Sequence, residues 1–199
     1  MVLRGPCAWR GAAVVVVFTV VGCTSSGRAA SPTPSNPSPT TSHSPAEASG
    51  FVRDCGTSVS GNLGAKKQWE RSSVVVGPFA LVWIRHYAPP GAMNFSQPVA
   101  KVLALVKQGH QVALWVPKGE RRDVTLIYNL SKGTAFPDGN PLVTFQACEK
   151  GNASWASATQ FNGGIYVAHP MCVTLFVSTH AEQDKAIRVP FGLNHSACA

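Results

Sequence analysis

Short apolar runs separated by turn residues make up the chain from residue 51 onward. The runs are rich in Val, Ile, Leu, Phe, Tyr and Thr, and Gly, Pro, Asn and Asp stand between them. Several alternate, so that Val124, Leu126 and Tyr128 share one face. Such alternation is typical of half-buried β-strands. We expect strands near residues 73–76, 79–86, 101–106, 111–116, 123–129, 142–148, 164–167, 172–178 and 186–190.

The number and spacing of these runs favour an all-β fold. A two-sheet antiparallel sandwich, immunoglobulin-like or jelly-roll-like, is the expected architecture, and a barrel is the next alternative. The runs 101–106 and 111–116 flank a loop with Gly109, where a hairpin needs positive φ. A helix over 97–108 is the competing interpretation, because Ala, Leu and Lys favour helices.

The N-terminus has the three parts of an export signal. Arg4 and Arg10 form a basic region, an apolar core covers 11–21, and Gly22 precedes Cys23. This core is too short for the roughly 20 residues that a membrane-spanning helix needs. We therefore expect residues 1–22 to be a removable signal peptide.

Cys23 indicates a lipoprotein signal, with an ordinary secretory signal as the alternative. A lipoprotein peptidase requires a thiol at the first mature position, which then carries acyl chains such as palmitate. Two or three chains hold a protein stably on a membrane, where one does not. We expect Cys23 to be lipidated and the protein to lie at the extracytoplasmic face of the cell membrane, with the membrane as a partner through this lipid anchor.

Residues 23–50 form a linker. Between Thr24 and Gly50, Ser, Pro and Thr account for 17 of 27 residues. A segment with so few large apolar side chains does not offset its chain entropy, so we expect a disordered stalk. Its Ser and Thr residues allow O-glycosylation. Residues 51–199 then form one domain of ordinary size.

Four cysteines lie in this domain: Cys55, Cys148, Cys172 and Cys198. An even number outside the cytoplasm indicates disulfides, and four cysteines allow three connectivities. We favour Cys148 with Cys172, since one ends a predicted strand and the other begins one. This leaves Cys55 with Cys198, closing the domain's two ends. No CxxC or cysteine and histidine cluster indicates a metal site.

Several segments resemble an uncharacterised family of actinobacterial secreted proteins and lipoproteins. The similarity covers most of the chain from Cys55 to Cys198 and is carried by residues 76–79, 145–148, 159–167, 170–177 and 190–192. The resemblance implies a cell-envelope β domain. It implies no activity and no catalytic residue.

Motifs that carry chemistry are absent from the sequence. There is no GxSxG, HExxH, GxxxxGK[ST] or SxxK, and no GxGxxG follows a strand and opens a helix. We therefore expect no enzyme, no metal and no cofactor. The alternative is an extracellular hydrolase acting on cell-wall or glycan substrates, whose carboxylates would meet only after folding.

Aromatic residues are the best candidates for a binding surface. Trp83 and Trp115 lie in predicted strands, and His86 and Tyr87 follow Trp83 closely. An exposed Trp can stack on sugars or on protein partners, although a Trp in an apolar strand is more often core. Trp83, His86, Tyr87 and Trp115 form the candidate surface.

Charge indicates the class of partner. The chain carries +8, and the domain, with 14 basic and 8 acidic residues, carries +6. Anionic cell-wall polymers, glycans or envelope proteins fit this charge. Nucleic acid does not fit, because the basic residues are dispersed and no recognition motif is present. The sequence thus predicts a membrane-anchored lipoprotein that acts as a noncovalent binding or structural module in the cell envelope.

Overall fold

The computed structural model describes residues 50–63, 66–129, 139–151, 157–179 and 182–198. The predicted signal peptide, Cys23 and residues 24–49 of the predicted stalk lie outside these ranges. The described part is dominated by β-strands, which confirms the expected all-β fold. One short α-helix, α1 (Lys66–Arg71), is present in the described ranges.

Twelve strands are present in the described ranges. They are β1 (Gly50–Arg53), β2 (Val74–Val76), β3 (Phe79–Val82), β4 (Val99–Lys101), β5 (Leu103–Val106), β6 (Gln111–Trp115), β7 (Val124–Ile127), β8 (Leu142–Gln146), β9 (Thr159–Phe161), β10 (Gly164–Val167), β11 (Met171–Thr179) and β12 (Glu182–Phe191). Short 3₁₀ turns lie at Cys55–Thr57, Ile84–Tyr87, Lys118–Glu120 and His195–Cys198.

The first sheet has the strand order β1-β8-β6-β11-β12. Its pairs are antiparallel except β1 with β8, which is parallel. This parallel pair departs from the wholly antiparallel expectation. It results from β1, which begins at Gly50 opposite Leu142 and was not among the predicted strands.

The second sheet consists of two hydrogen-bonded groups, β2-β3-β5-β9 and β4-β10-β7. Lys101 lies opposite Gly164, and Ala104 lies opposite Phe161, so both groups keep one antiparallel register. The Val102 N–H donates to the carbonyl oxygen of Gly163 at 3.1 Å and continues this pairing across the gap. The groups therefore form one sheet in which β4 with β5, and β9 with β10, are interrupted strands. The expected two-sheet sandwich is confirmed.

Alternate residues of both sheets fill the space between them. The main core includes Val112, Leu114 and Phe145 from the first sheet and Phe79 and Phe161 from the second. All five side chains are fully buried. Phe145 lies 5.8 Å from Phe79 and 5.3 Å from Phe161, measured between ring centroids. The aromatic side chains thus join the two layers.

A smaller apolar cluster lies on the outer side of the second sheet. Trp69 of α1 packs there with Val82 and Leu105 of the sheet and with Leu63 of the preceding segment. Trp69 is 1% exposed. The helix and this segment therefore cover one end of the outer face. At the other end Gly139 lies against Thr125 and Ile127.

One local alternative is excluded, and one local prediction was wrong. Residues 99–106 are extended, as favoured for 101–106, and this excludes the helical alternative, because alternate residues enter the core. The runs before and after Gly109 do not form a hairpin: β5 pairs with β3 and β9, whereas β6 pairs with β8 and β11. Gly109 does have a positive φ of 77°, but its loop connects one sheet to the other.

The four cysteines form two disulfides, as expected, but the predicted pairing was wrong. Cys55 bonds to Cys148, and Cys172 bonds to Cys198. Cys55 follows β1 and Cys148 follows β8, and these neighbouring parallel strands end on the same side. Cys172 lies opposite Pro190 in β12, after which the chain turns and returns Cys198 to it.

Candidate functional site

Three of the four predicted surface residues lie together, and the fourth does not. Trp83, His86 and Tyr87 lie in or beside the Ile84–Tyr87 turn that follows β3. Trp115 belongs to the other sheet, is 2% exposed, and stacks on Phe176 with 4.3 Å between ring centroids. Its burial removes Trp115 from the candidate surface.

Tyr87 connects the turn to the neighbouring strands. Its hydroxyl accepts a hydrogen bond from the Lys101 N–H at 2.9 Å, and its ring stacks on Phe191 at 6.4 Å. His86 is exposed. Tyr87 therefore orients the turn, and the half-buried Trp83 at its start is the aromatic side chain that lines an open surface.

Trp83 ends β3 in a left-handed backbone conformation. Its φ is 68° and its ψ is 4°. Such angles are strained for a bulky residue and cost about 1 to 3 kcal/mol. The Trp83 N–H donates to Ser73 Oγ at 3.4 Å, and its carbonyl oxygen accepts from the His86 N–H at 3.0 Å. The strand predicted at 79–86 therefore ends at Val82. The main-chain contacts of Trp83 fix the direction in which its side chain leaves the sheet.

A groove of about 350 Å³ lies on the second sheet's outer face. Gly164 lies between Lys101 and Ile127 in the register and has no side chain, which leaves a depression in the sheet. A Cβ on Gly164 would lie 2.4 Å from the Ala100 carbonyl oxygen, so the close approach of the strands requires glycine. The groove is lined by Trp83, Val99, Lys101, Leu103, Ile127, Asn162, Gly163 and Gly164.

Arg53 supports the groove from behind. Its guanidinium donates to the Asn162 carbonyl oxygen and to Asn162 Oδ1, both at 3.2 Å, and also to the carbonyl oxygens of Tyr128 and Thr57. The guanidinium lies 5.7 Å from the Phe161 ring centroid. Because Arg53 only donates hydrogen bonds, Asn162 Oδ1 must face it, and the Asn162 amide nitrogen is left for the groove.

Burial lowers the pKa of Arg53, since the charged form loses hydration. Arginine nevertheless remains protonated at physiological pH. Its charge is stabilised by main-chain carbonyls and Asn162. The neighbouring Asp54 carboxylate also attracts the guanidinium and acts on its pKa in the opposite direction to burial, although no carboxylate hydrogen-bonds to Arg53 in the described part of the chain. The groove therefore has a fixed positive charge beneath Asn162 and the Lys101 ammonium at its surface.

None of the described residues that line this groove carries a carboxylate. Glu120 accepts a hydrogen bond from the Thr174 N–H at 2.8 Å, and Asp123 lies 3.9 Å from His169. The Glu120 carboxylate thus binds the β11 main chain beyond the end of β6. Within the described ranges, no three His, Cys, Asp or Glu residues lie close enough to hold a metal ion.

A second cavity lies beside the Cys55–Cys148 disulfide and has a volume of about 660 Å³. Its charged residues, Asp54, Glu149 and Lys150, are exposed. It is wider and more open than the groove, and none of these charged side chains is positioned by a buried partner. The groove is the better candidate because Arg53 orients Asn162 and the main chain orients Trp83.

Sequence reasoning identified Trp83 but missed Lys101, Asn162 and Arg53. Lys101 was included in a predicted strand, and its outward direction follows from the alternation with Ala100 and Val102. Asn162 precedes the predicted strand 164–167 and was not among the candidate surface residues. Arg53 gave no local signal for the groove, because its partners Tyr128 and Asn162 are 75 and 109 residues away.

Comparison of the chain with protein-family models, with curated protein sequences and with solved structures finds no match. The two disulfides fit an oxidising compartment outside the cytoplasm. Among the described residues, none of the helices has the length and apolar character required to cross a membrane.

Proposed function

We propose that the protein is a lipid-anchored, extracytoplasmic binding module that holds a component of the cell envelope noncovalently in the groove beside Trp83. The observation that carries this proposal is the set of oriented side chains on an otherwise filled sandwich. Lys101, Asn162 and Trp83 present binding groups, whereas none of the described lining residues carries a carboxylate. Such a site is suited to binding.

The N-terminal sequence supports the location of this module. Gly22-Cys23 follows an apolar core, and acyl chains on Cys23 would hold the protein on the membrane. A stalk of residues 24–49, if extended, would reach roughly 80 Å. The folded domain would then meet its partner within the cell envelope and away from the lipid surface.

The anchor is tested by Cys23→Ala. This variant removes the only thiol at the predicted cleavage point, so the precursor should stay unlipidated and move from the detergent phase to the aqueous phase. Detergent-phase partitioning of the expressed protein measures the change. Cys7→Ala, within the predicted signal, is the matched control and should not alter partitioning. Unchanged partitioning of Cys23→Ala would contradict lipidation.

Binding is tested with isolated cell-envelope fractions. The positive groups of the groove should give retention in low salt, about 0.01 M, which weakens near 1 M because the Debye length falls from about 30 Å to about 3 Å. Pull-down with the purified protein measures the retained fraction. Absence of binding to any envelope fraction in low salt would refute the proposed function.

A further inference from the structure

The polar side-chain atoms available in the groove are all hydrogen-bond donors. They are Lys101 Nζ, Asn162 Nδ2 and the Trp83 indole nitrogen, and within the described ranges no protein acceptor is bonded to any of them. The one side-chain acceptor among the lining residues, Asn162 Oδ1, is occupied by Arg53. A ligand that satisfies this lining must therefore be rich in acceptors, and the charge of Lys101 favours an anion.

The main chain around the groove is not available for binding an extended peptide. Gly164 pairs with Lys101 on one side and with Ile127 on the other, so β10 is interior to the sheet at this point. The Tyr87 hydroxyl bonds to the Lys101 N–H and carbonyl oxygen at the outer edge of β4, and Asn140 pairs with Leu126 at the outer edge of β7. A peptide that binds by strand addition requires an unpaired sheet edge. The ligand must therefore be recognised through side chains.

The apolar part of the groove favours a ring. Trp83 packs with Leu103 against the covered apolar cluster, and Val99 and Ile127 line the rest. An indole side chain offers a large apolar area with a polar edge, which suits a ligand that has both characters. Trp83 also keeps a strained, left-handed backbone conformation. Strained residues of this kind cluster at binding and active sites.

We propose that the groove binds an acidic saccharide, that is, a sugar ring bearing a carboxylate. The ring lies on Trp83, and the carboxylate accepts hydrogen bonds from Lys101 and Asn162. The buried charge of Arg53 strengthens the attraction through Asn162. This inference rests on the proposed function of the groove and specifies its ligand class.

Four probes separate the contributions of charge and ring. Oligogalacturonate has acidic sugar rings, its methyl ester has the same rings without the charge, polyglutamate has carboxylates without rings, and a glycerol phosphate polymer has phosphates without rings. Binding of each to the full-length protein in detergent is measured by calorimetry at low salt. Oligogalacturonate should bind at least about tenfold more tightly than the other three.

Asn162→Asp is the sharpest variant. The new carboxylate still accepts a hydrogen bond from Arg53, so we expect the fold to be retained. The groove, however, loses the hydrogen-bond donor Asn162 Nδ2 and gains a negative charge that repels the carboxylate of the saccharide. Like charges in contact cost several kcal/mol, so oligogalacturonate binding should weaken on the order of 100-fold. Thermal unfolding measured beside calorimetry verifies that the variant remains folded.

Lys101→Gln has a matched control in Lys118→Gln. Both remove one exposed positive charge, but Lys118 lies in the turn after β6 and away from the groove. Lys101→Gln should weaken oligogalacturonate binding about tenfold, and Lys118→Gln less than about twofold. Trp83→Leu keeps an apolar side chain for packing and should weaken binding about tenfold by removing the ring contact.

Three results would overturn the inference. They are equal binding of the methyl ester, equal binding of either polymer without sugar rings, and unchanged oligogalacturonate affinity in folded Asn162→Asp. If envelope fractions still bind through the groove in any of these cases, the ligand class is wrong but the proposed function stands. If neither the probes nor any envelope fraction binds, the proposed function fails as well.

Discussion

The side chain of Tyr128 is buried, and its hydroxyl is hydrogen-bonded within the protein. Its hydroxyl donates to the Val102 carbonyl oxygen at 2.9 Å, at the interruption between β4 and β5. Its ring meets Phe145 edge-on, with 4.9 Å between centroids. Burial raises the pKa of Tyr128 far above its ordinary value of about 10, since a phenolate there would lose its hydration.

This shift predicts a loss of stability at alkaline pH. Above pH 10 the unfolded chain releases the Tyr128 proton while the folded protein retains it, so the free energy of unfolding falls by about 1.4 kcal/mol per pH unit. In Tyr128→Phe this contribution is absent. Urea unfolding between pH 8 and pH 11, chosen to span the ordinary value of about 10, should give a shallower decline for the variant. Equal slopes would contradict the assignment.

Arg53 shows how far one residue can lie from its partners in sequence and still determine a site. Its hydrogen bonds join the end of β1, the Cys55–Thr57 turn, the end of β7 and the loop between β9 and β10. The sequence before Cys55 contains nothing that distinguishes this arginine from a surface one. Its role depends on packing between distant segments, and sequence patterns do not report that packing.

At the scale of elements, the interruption in the second sheet forms the groove. The run 101–106 was correctly predicted to be extended. The sequence pattern did not predict that the strand is interrupted at Val102. The reason is that Val102 keeps both the alternation of inward and outward side chains and the pairing register of the sheet. Opposite it, a Cβ on Gly163 would lie 2.2 Å from Tyr128 Cδ1, so the gap depends on a glycine at a close approach.

Gly163→Ala should therefore destabilise the protein. The added methyl group must displace the Tyr128 ring, and overpacking of this kind costs about 1 to 3 kcal/mol. Gly119→Ala is the matched control, since nothing lies within 4 Å of a Cβ built there. Its free energy of unfolding should change by less than about 0.5 kcal/mol. Urea unfolding of both variants measures the difference. Equal changes in the free energy of unfolding would show that the Tyr128 ring moves aside without destabilising the protein.

At the scale of the whole molecule, strand order decided the cysteine pairing. The prediction joined Cys148 to Cys172 because both bound predicted strands, but adjacency in sequence does not specify adjacency in a sheet. The strand β1 lies beside β8 and brings Cys55 to Cys148, with 4.9 Å between their Cα atoms. The return of the chain after β12 brings Cys198 to Cys172, with 5.5 Å between their Cα atoms.

The two disulfides should differ in their contributions to stability. They close loops with sequence separations of 93 and 26 residues. Loop-closure entropy then predicts losses of about 4.7 kcal/mol for the Cys55→Ser, Cys148→Ser double variant and about 3.5 kcal/mol for Cys172→Ser, Cys198→Ser. Denaturant unfolding measures both losses. Peptide mapping without reduction should link Cys55 to Cys148, and a Cys148 to Cys172 peptide would contradict this connectivity.

The sequence by itself determined the strand content, most strand positions and the set of four paired cysteines. These are local properties, since alternation and composition act within a few residues. It also supports the lipid anchor at Cys23, which stays a prediction. Tertiary structure alone decided which strands are neighbours, which cysteines bond, and that Trp83, Lys101 and Asn162 share a groove while Trp115 is buried elsewhere. The reason is physical: these outcomes depend on packing free energy between segments far apart in the chain.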